Sequence, residues 1–148
     1  MIHPLLFVAC AVSLSIAGCR REPPPQTVTT FDMQDAWVRA TPDSGATTAA
    51  YMKLVNGTRD TVVVSHFSSS DAATVELHRS YTDAEGEEHM SMLDSLVIAP
   101  GQTIVLQPGS YHLMMIGVTH PLIAGKMARV AMHLSDGSVV STSVRVKL

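Results

Sequence analysis

Hydrophobic residues recur along most of this chain with period two or in short bursts, and turn chemistry marks the intervals between them. The turn signals are Pro42-Asp43-Ser44-Gly45, Asn56-Gly57, Glu85-Gly86, Pro100-Gly101, Pro108-Gly109 and Asp136-Gly137. The spacing predicts strands over 36–40, 50–55, 61–67, 75–81, 89–93, 103–106, 112–118, 128–134 and 139–147. No stretch carries a helical stripe, so the expected fold class is all-β, with the pattern of an antiparallel sandwich or barrel. The last strand shows the alternation best. Val140, Thr142, Val144, Val146 and Leu148 share the face expected to be buried, and Ser141, Ser143, Arg145 and Lys147 share the wet one. Asp136-Gly137 predicts a hairpin between the final two strands.

The first residues read differently. Residues 5–17, LLFVACAVSLSIA, form an apolar run of 13 residues that ends in small side chains and is followed by Arg20, Arg21 and Glu22. That is too short for a permanent span and suits a signal peptide, although the leader carries His3 and no Lys or Arg before Leu5. Ile16-Ala17-Gly18-Cys19 resembles the lipobox of bacterial lipoproteins, which assigns lipidation to Cys19 and tethers the mature chain to a membrane outside the cytoplasm. The expected organisation is a signal peptide over 1–18, a lipidated cysteine and Pro-rich spacer over 19–30, and one folded domain over 31–148.

Composition narrows the function. At 148 residues and 46% apolar, the chain holds one domain with a real core. Its formal charge is −3 and no basic cluster goes beyond Arg20-Arg21, which argues against nucleic acid as a partner. The only cysteines are Cys10 and Cys19, so the domain has no disulfide framework, cysteine zinc site or cysteine nucleophile.

The candidate chemistry lies in methionine and histidine. Met90, Met92, Met114 and Met115 fall within 26 residues, His89 and His112 lie beside them, and His78 precedes Met90 by twelve positions. In a strand, His112 and Met114 project to one side while Leu113 and Met115 project to the other. The same parity aligns Met90 with Met92. A hairpin through the acidic link Asp83-Ala84-Glu85-Gly86-Glu87-Glu88 would bring His78 near Met90. Neutral thioethers with imidazoles favour Cu(I) over Zn²⁺, Ca²⁺ or Mg²⁺, and without a thiolate the set suits a carrier better than a blue-copper centre. The candidate metal ligands are therefore His78, Met90, His112 and Met114. Met33, Met52, Met115, Met127 and Met132 are expected in or at the core, and His66, His89, His120 and His133 at the surface or around the site. Imidazole must be neutral to ligate, so binding should weaken as pH falls through about 6.5.

At these residues the sequence resembles the periplasmic PCu(A)C-type copper chaperones. Their motif is a histidine with an optional Met after it, ten residues, Met, twenty-one residues and His-x-Met; here His78, Arg79 in the optional position, Met90, His112 and Met114 reproduce the spacing. Ala36-Trp37-Val38-Arg39-Ala40-Thr41-Pro42, Ala49-Ala50-Tyr51-Met52, Val75-Glu76-Leu77-His78 and the stretch from Pro108 to Gly117 extend the likeness. The resemblance implies a cupredoxin-like Greek-key β-sandwich that holds Cu(I) in the periplasm. The implied partner is a copper acceptor, a cytochrome oxidase subunit or another copper chaperone. The lipid anchor at Cys19 departs from the many relatives that are soluble or fused to other domains. The chain is expected to be a monomer and, with no Ser/His/Asp ordering, paired-carboxylate signature or Gly-rich phosphate loop, not an enzyme. The residues leave three other readings open: a copper scavenger, a metal-free lipoprotein interaction module and a copper redox enzyme.

Overall fold

Alternation becomes structure wherever one face of a strand can be buried. A computed structural model describes residues 30–148. The expected signal peptide, Cys19 and all of the expected spacer but Thr30 lie outside the described residues. Ten strands follow in order: β1 (Phe31–Arg39), β2 (Thr48–Asn56), β3 (Val62–Ser68), β4 (Ala72–Thr82), β5 (Glu88–Leu93), β6 (Leu96–Ile98), β7 (Thr103–Leu106), β8 (Tyr111–Val118), β9 (Met127–Leu134) and β10 (Val139–Lys147). There is no helix among the described residues. The expected strands are all present, usually a few residues longer than the pattern predicted. The exception to the expectation is β6, which is only three residues long and too short to show a period.

The strands form one ladder in the order β5-β4-β8-β7-β2-β1-β10-β9-β3-β6, with a second contact between β8 and β2. Pairing is antiparallel except for β1 with β10 and a single register point between β7 and β8. The ladder curls so that residues near its two ends share one core. Leu77 of β4, Leu113 and Met115 of β8, Leu54 of β2, Val144 of β10, Met132 of β9 and Val64 of β3 all belong to it. Each such side chain contributes about 1.5–3 kcal/mol by leaving water. This is the sandwich that the alternation predicts.

A bulge adjusts β1. Its inward residues Met33 and Val38 are five apart, an odd step that strict alternation cannot make, and the register with β2 shifts between Gln34 and Trp37. Asp35 takes the extra position with φ of 52°, which a short polar side chain tolerates, and its carboxylate lies 2.7 Å from Lys53 Nζ.

Two expectations about burial are corrected. Met127 is 52% exposed, because β9 turns Ala128, Val130 and Met132 inward and an odd position must face out. Leu148 is 98% exposed, since β10 ends at Lys147 and nothing folds over the residue beyond it. The other core methionines stand as expected: Met33, Met52, Met115 and Met132 are all buried. The β9–β10 hairpin forms at Asp136-Gly137, where Val139 pairs with His133.

Candidate metal centre

Three neighbouring strands, β5, β4 and β8, bring the sequence-predicted residues onto one outer face. Register pairs His78 with His112 on one side and with Met92 on the other. Ser80 pairs with Met90, and Glu76 pairs with Met114. Directly opposed residues project to the same face, so Met90, His78, His112 and Met114 share it. Met90 stands one same-face step along from His78 rather than directly across. Leu113 and Met115 point the other way and are fully buried, as strand parity predicts.

The approach to His112 is fixed by a tight turn. Gln107-Pro108-Gly109-Ser110 closes with the Ser110 N–H donating to the Gln107 carbonyl at 3.1 Å, and Gly109 takes φ of 75°. Proline followed by a glycine at positive φ is the chemistry of a type II turn. The Ser110 carbonyl then accepts from the Ser80 N–H at 3.0 Å and from His112 Nδ1 at 2.9 Å. A carbonyl can only accept, so His112 Nδ1 carries the proton and its lone pair lies on Nε2.

His78 is held from the opposite side. Its Nε2 lies 2.9 Å from the Glu76 carboxylate, two residues earlier on the same face of β4. A neutral His78 therefore donates from Nε2 and keeps its lone pair on Nδ1. That Nδ1 is the one buried side-chain nitrogen or oxygen among the described residues that finds no partner. The two imidazole rings lie 5.9 Å apart, centre to centre, at 33°.

Met90, His112 and Met114 line one open cleft of about 430 Å³, together with Arg39, Tyr51 and Ser80. Glu76 and Met92 border a different hollow, beside His66 and Asp94. His78 stands between the two, with Glu76 on the far side from Met90. His89, beside Met90 in sequence, faces the other way, where it stacks on Tyr81 at 5.3 Å and bonds to Asp83. His66 and His133 stack on each other at 4.1 Å. His120 lies 3.4 Å from Asp71. Among the described residues no three His, Cys, Asp or Glu side chains are grouped to hold a metal, so thioethers are needed to complete any site here.

Sequence reasoning missed Glu76 and the Ser110 carbonyl. For Glu76 a signal existed, since a carboxylate two residues before a candidate ligand shares its face in a strand. For Ser110 none did, because a backbone acceptor has no side-chain signature.

Comparison with known proteins follows from this fold. The family model described as "Putative lipoprotein LpqE-like" matches residues 31–146. "Putative lipoprotein Lxx21020" of Leifsonia xyli subsp. xyli is 32% identical over 143 residues, which cover 93% of this chain and 85% of that protein. The solution structure of CuI-DR1885 from Deinococcus radiodurans superimposes with a TM-score of 0.65 at 28% identity, covering 83% of this chain and 81% of that one. The copper-bound PCuAC domain from PmoF2 gives 0.64 at 17% identity, covering 79% and 92%; at that identity the likeness is one of fold.

Proposed function

Because the chain belongs to the LpqE-like family and has the fold of PCuAC domains, we propose that it is an extracytoplasmic copper chaperone. It carries one Cu(I) on His78 Nδ1, Met90, His112 Nε2 and Met114, tethered to a membrane through Cys19. The observation that carries this reading is the placing of two imidazoles 5.9 Å apart, each bonded at one nitrogen and open at the other, on one sheet face with two thioethers. Two soft sulfurs and two borderline nitrogens, all uncharged, favour the reduced ion. The copper-bound relatives of the same fold support the choice of metal.

The cleft is open and Met90 is 55% exposed, so an incoming ligand can reach the ion while the histidines still hold it. Release then proceeds by ligand exchange, with no redox step or proton transfer required. The recipient that suits such a carrier is a respiratory copper centre such as that of cytochrome c oxidase.

The test is anaerobic titration of the full chain with Cu(I) against a competing chelator, alongside Met90→Ala and Met114→Ala. The expected result is one equivalent bound by the parent and affinity at least about tenfold weaker in each variant, the scale on which even outer partners of metal ligands act. A parent that competes for no copper, or variants that bind as it does, would remove the reading.

A further inference from the structure

The whole chain is acidic, with a formal charge of −3, yet its described cations are not spread evenly. Residues 30–148 contain eight Lys and Arg. Strand parity sets five of them, Arg39, Lys53, Arg129, Arg145 and Lys147, on the outer face of β2, β1, β10 and β9. Register makes the patch continuous: Tyr51, Trp37, Arg145 and Met127 form one row, and Arg39 opposite Lys147 forms the next. Lys53 is neutralised by Asp35 at 2.7 Å. Among the described residues no carboxylate lies within 4.0 Å of the side-chain nitrogens of Arg39, Arg129, Arg145 or Lys147, although Asp71 accepts from the Arg129 backbone N–H at 2.7 Å.

The patch is aromatic as well as basic. Trp37 and Tyr51 rings lie 4.6 Å apart, and Lys147 Nζ sits 5.5 Å from the Trp37 ring centre. It also runs into the candidate metal cleft, because Arg39 and Tyr51 line that cleft together with Met90, His112 and Met114. On the cleft's other side, Glu88 of the β4–β5 hairpin shares a hollow with Met90 and Gly109. The mouth therefore has a cationic margin on one side and an anionic one on the other.

We infer that this basic, aromatic face docks the protein that exchanges copper with the chain, and that this partner carries carboxylates around its own copper ligands. The inference rests on the copper reading above. A body seated on Arg145, Lys147 and Arg39 overhangs the cleft, so docking and access to the ion become one event. A bilayer laid on the same face would cover the mouth and obstruct the exchange, which is why a protein is the occupant that fits. Complementary charge at a cleft raises encounter rates by ten- to a thousandfold and fixes orientation.

The probe is a synthetic peptide bearing two methionines as copper ligands, flanked in one version by Asp and Glu and in the other by Ser. Trp37 is the only tryptophan in the chain, so its fluorescence reports binding to the copper-free full chain. The acidic peptide should bind about tenfold more tightly than the serine one at roughly 0.01 M salt. The gap should close near 0.15 M, as the screening length falls from about 30 to about 8 Å. R145E/K147E should abolish the gap while leaving Cu(I) affinity and melting temperature as in the parent, and the charge-preserving R145K/K147R should keep it. From the copper-loaded chain, the acidic peptide should also withdraw the ion about tenfold faster. Equal affinity for the two peptides in the parent overturns the proposal, as does a gap that survives charge reversal in a folded R145E/K147E. Engagement of phosphatidylglycerol vesicles without any preference for the acidic peptide assigns the face to a membrane and also overturns it. A parent that shows the gap but holds no Cu(I) keeps the face and removes the copper reading instead.

Discussion

A neutral imidazole has one lone pair, and the partner of its protonated nitrogen decides which atom offers it. At His112 that partner is a backbone carbonyl, which no substitution at position 110 other than proline or a change of turn would alter. At His78 it is the Glu76 side chain, which can be removed. Glu76→Ala should lower Cu(I) affinity by about tenfold in a chelator competition. Nitrogen NMR of the copper-free chain should find the His78 proton on Nε2 in the parent and shared between both nitrogens in the variant. A parent with the proton on Nδ1 would show that Glu76 does not set the orientation. Much at this scale was legible beforehand. Period two alone separates outward His112 and Met114 from inward Leu113 and Met115, and the same rule, applied to Met127 from Ala128, Val130 and Met132, would have turned it outward. What period two cannot give is a hydrogen-bond partner across or along a face, which is why the tautomers emerged only from the fold.

The element that governs Met90 is the β4–β5 hairpin, whose tip is organised by one carboxylate. Asp83 accepts from His89 and from the backbone N–H groups of Glu85 and Glu87, the latter two at 3.1 and 2.8 Å. The His89 bond first, and the backbone bonds after it, hold the Asp83 carboxyl below the ordinary carboxylate range. Because the folded value is the lower one, the stabilisation is complete above the unfolded value of about 3.9 and disappears as pH falls through the folded value. Asp83→Asn should therefore speed amide exchange at Glu87 and Glu88 at neutral pH, and parent and variant should converge in strong acid; exchange rates across that range are the check. The hairpin was readable in the acidic Gly-containing link. Its register was not, because parity puts Met90 and Met92 on one face equally well and only the pairing sets Met92 opposite His78. The three residues of β6 lay beneath the length at which any alternation can be seen.

Across the whole molecule, one polar side chain ties the far end of the ladder to its middle. Asn56 closes β2 and is fully buried; its Nδ2 donates to the carbonyls of Ile98 at 2.9 Å, Ala99 at 3.1 Å and Asp60 at 2.9 Å. Its Oδ1 accepts from Thr58 N at 3.0 Å and Thr58 Oγ1 at 2.6 Å. Read as half of an Asn-Gly turn, it proves to join β2 to β6. Asn56→Ala leaves several buried groups unpaired and should cost about 3 kcal/mol, lowering the melting temperature by roughly 10 °C without changing copper affinity; calorimetry with a copper titration checks both. The all-β class and the sandwich were written in the alternation, whereas the parallel contact of β1 with β10 was not, since no local pattern encodes a neighbour so distant. Trp37 pairs with Tyr51, fourteen positions on, and with Arg145, 108 positions on. One side of the first strand thus stays vacant until the tenth has emerged. Under the proposed export, in which the chain would leave the cytoplasm as a thread, late closure of this kind would delay folding until transit is nearly over, and the order in which strands meet would become a safeguard for export.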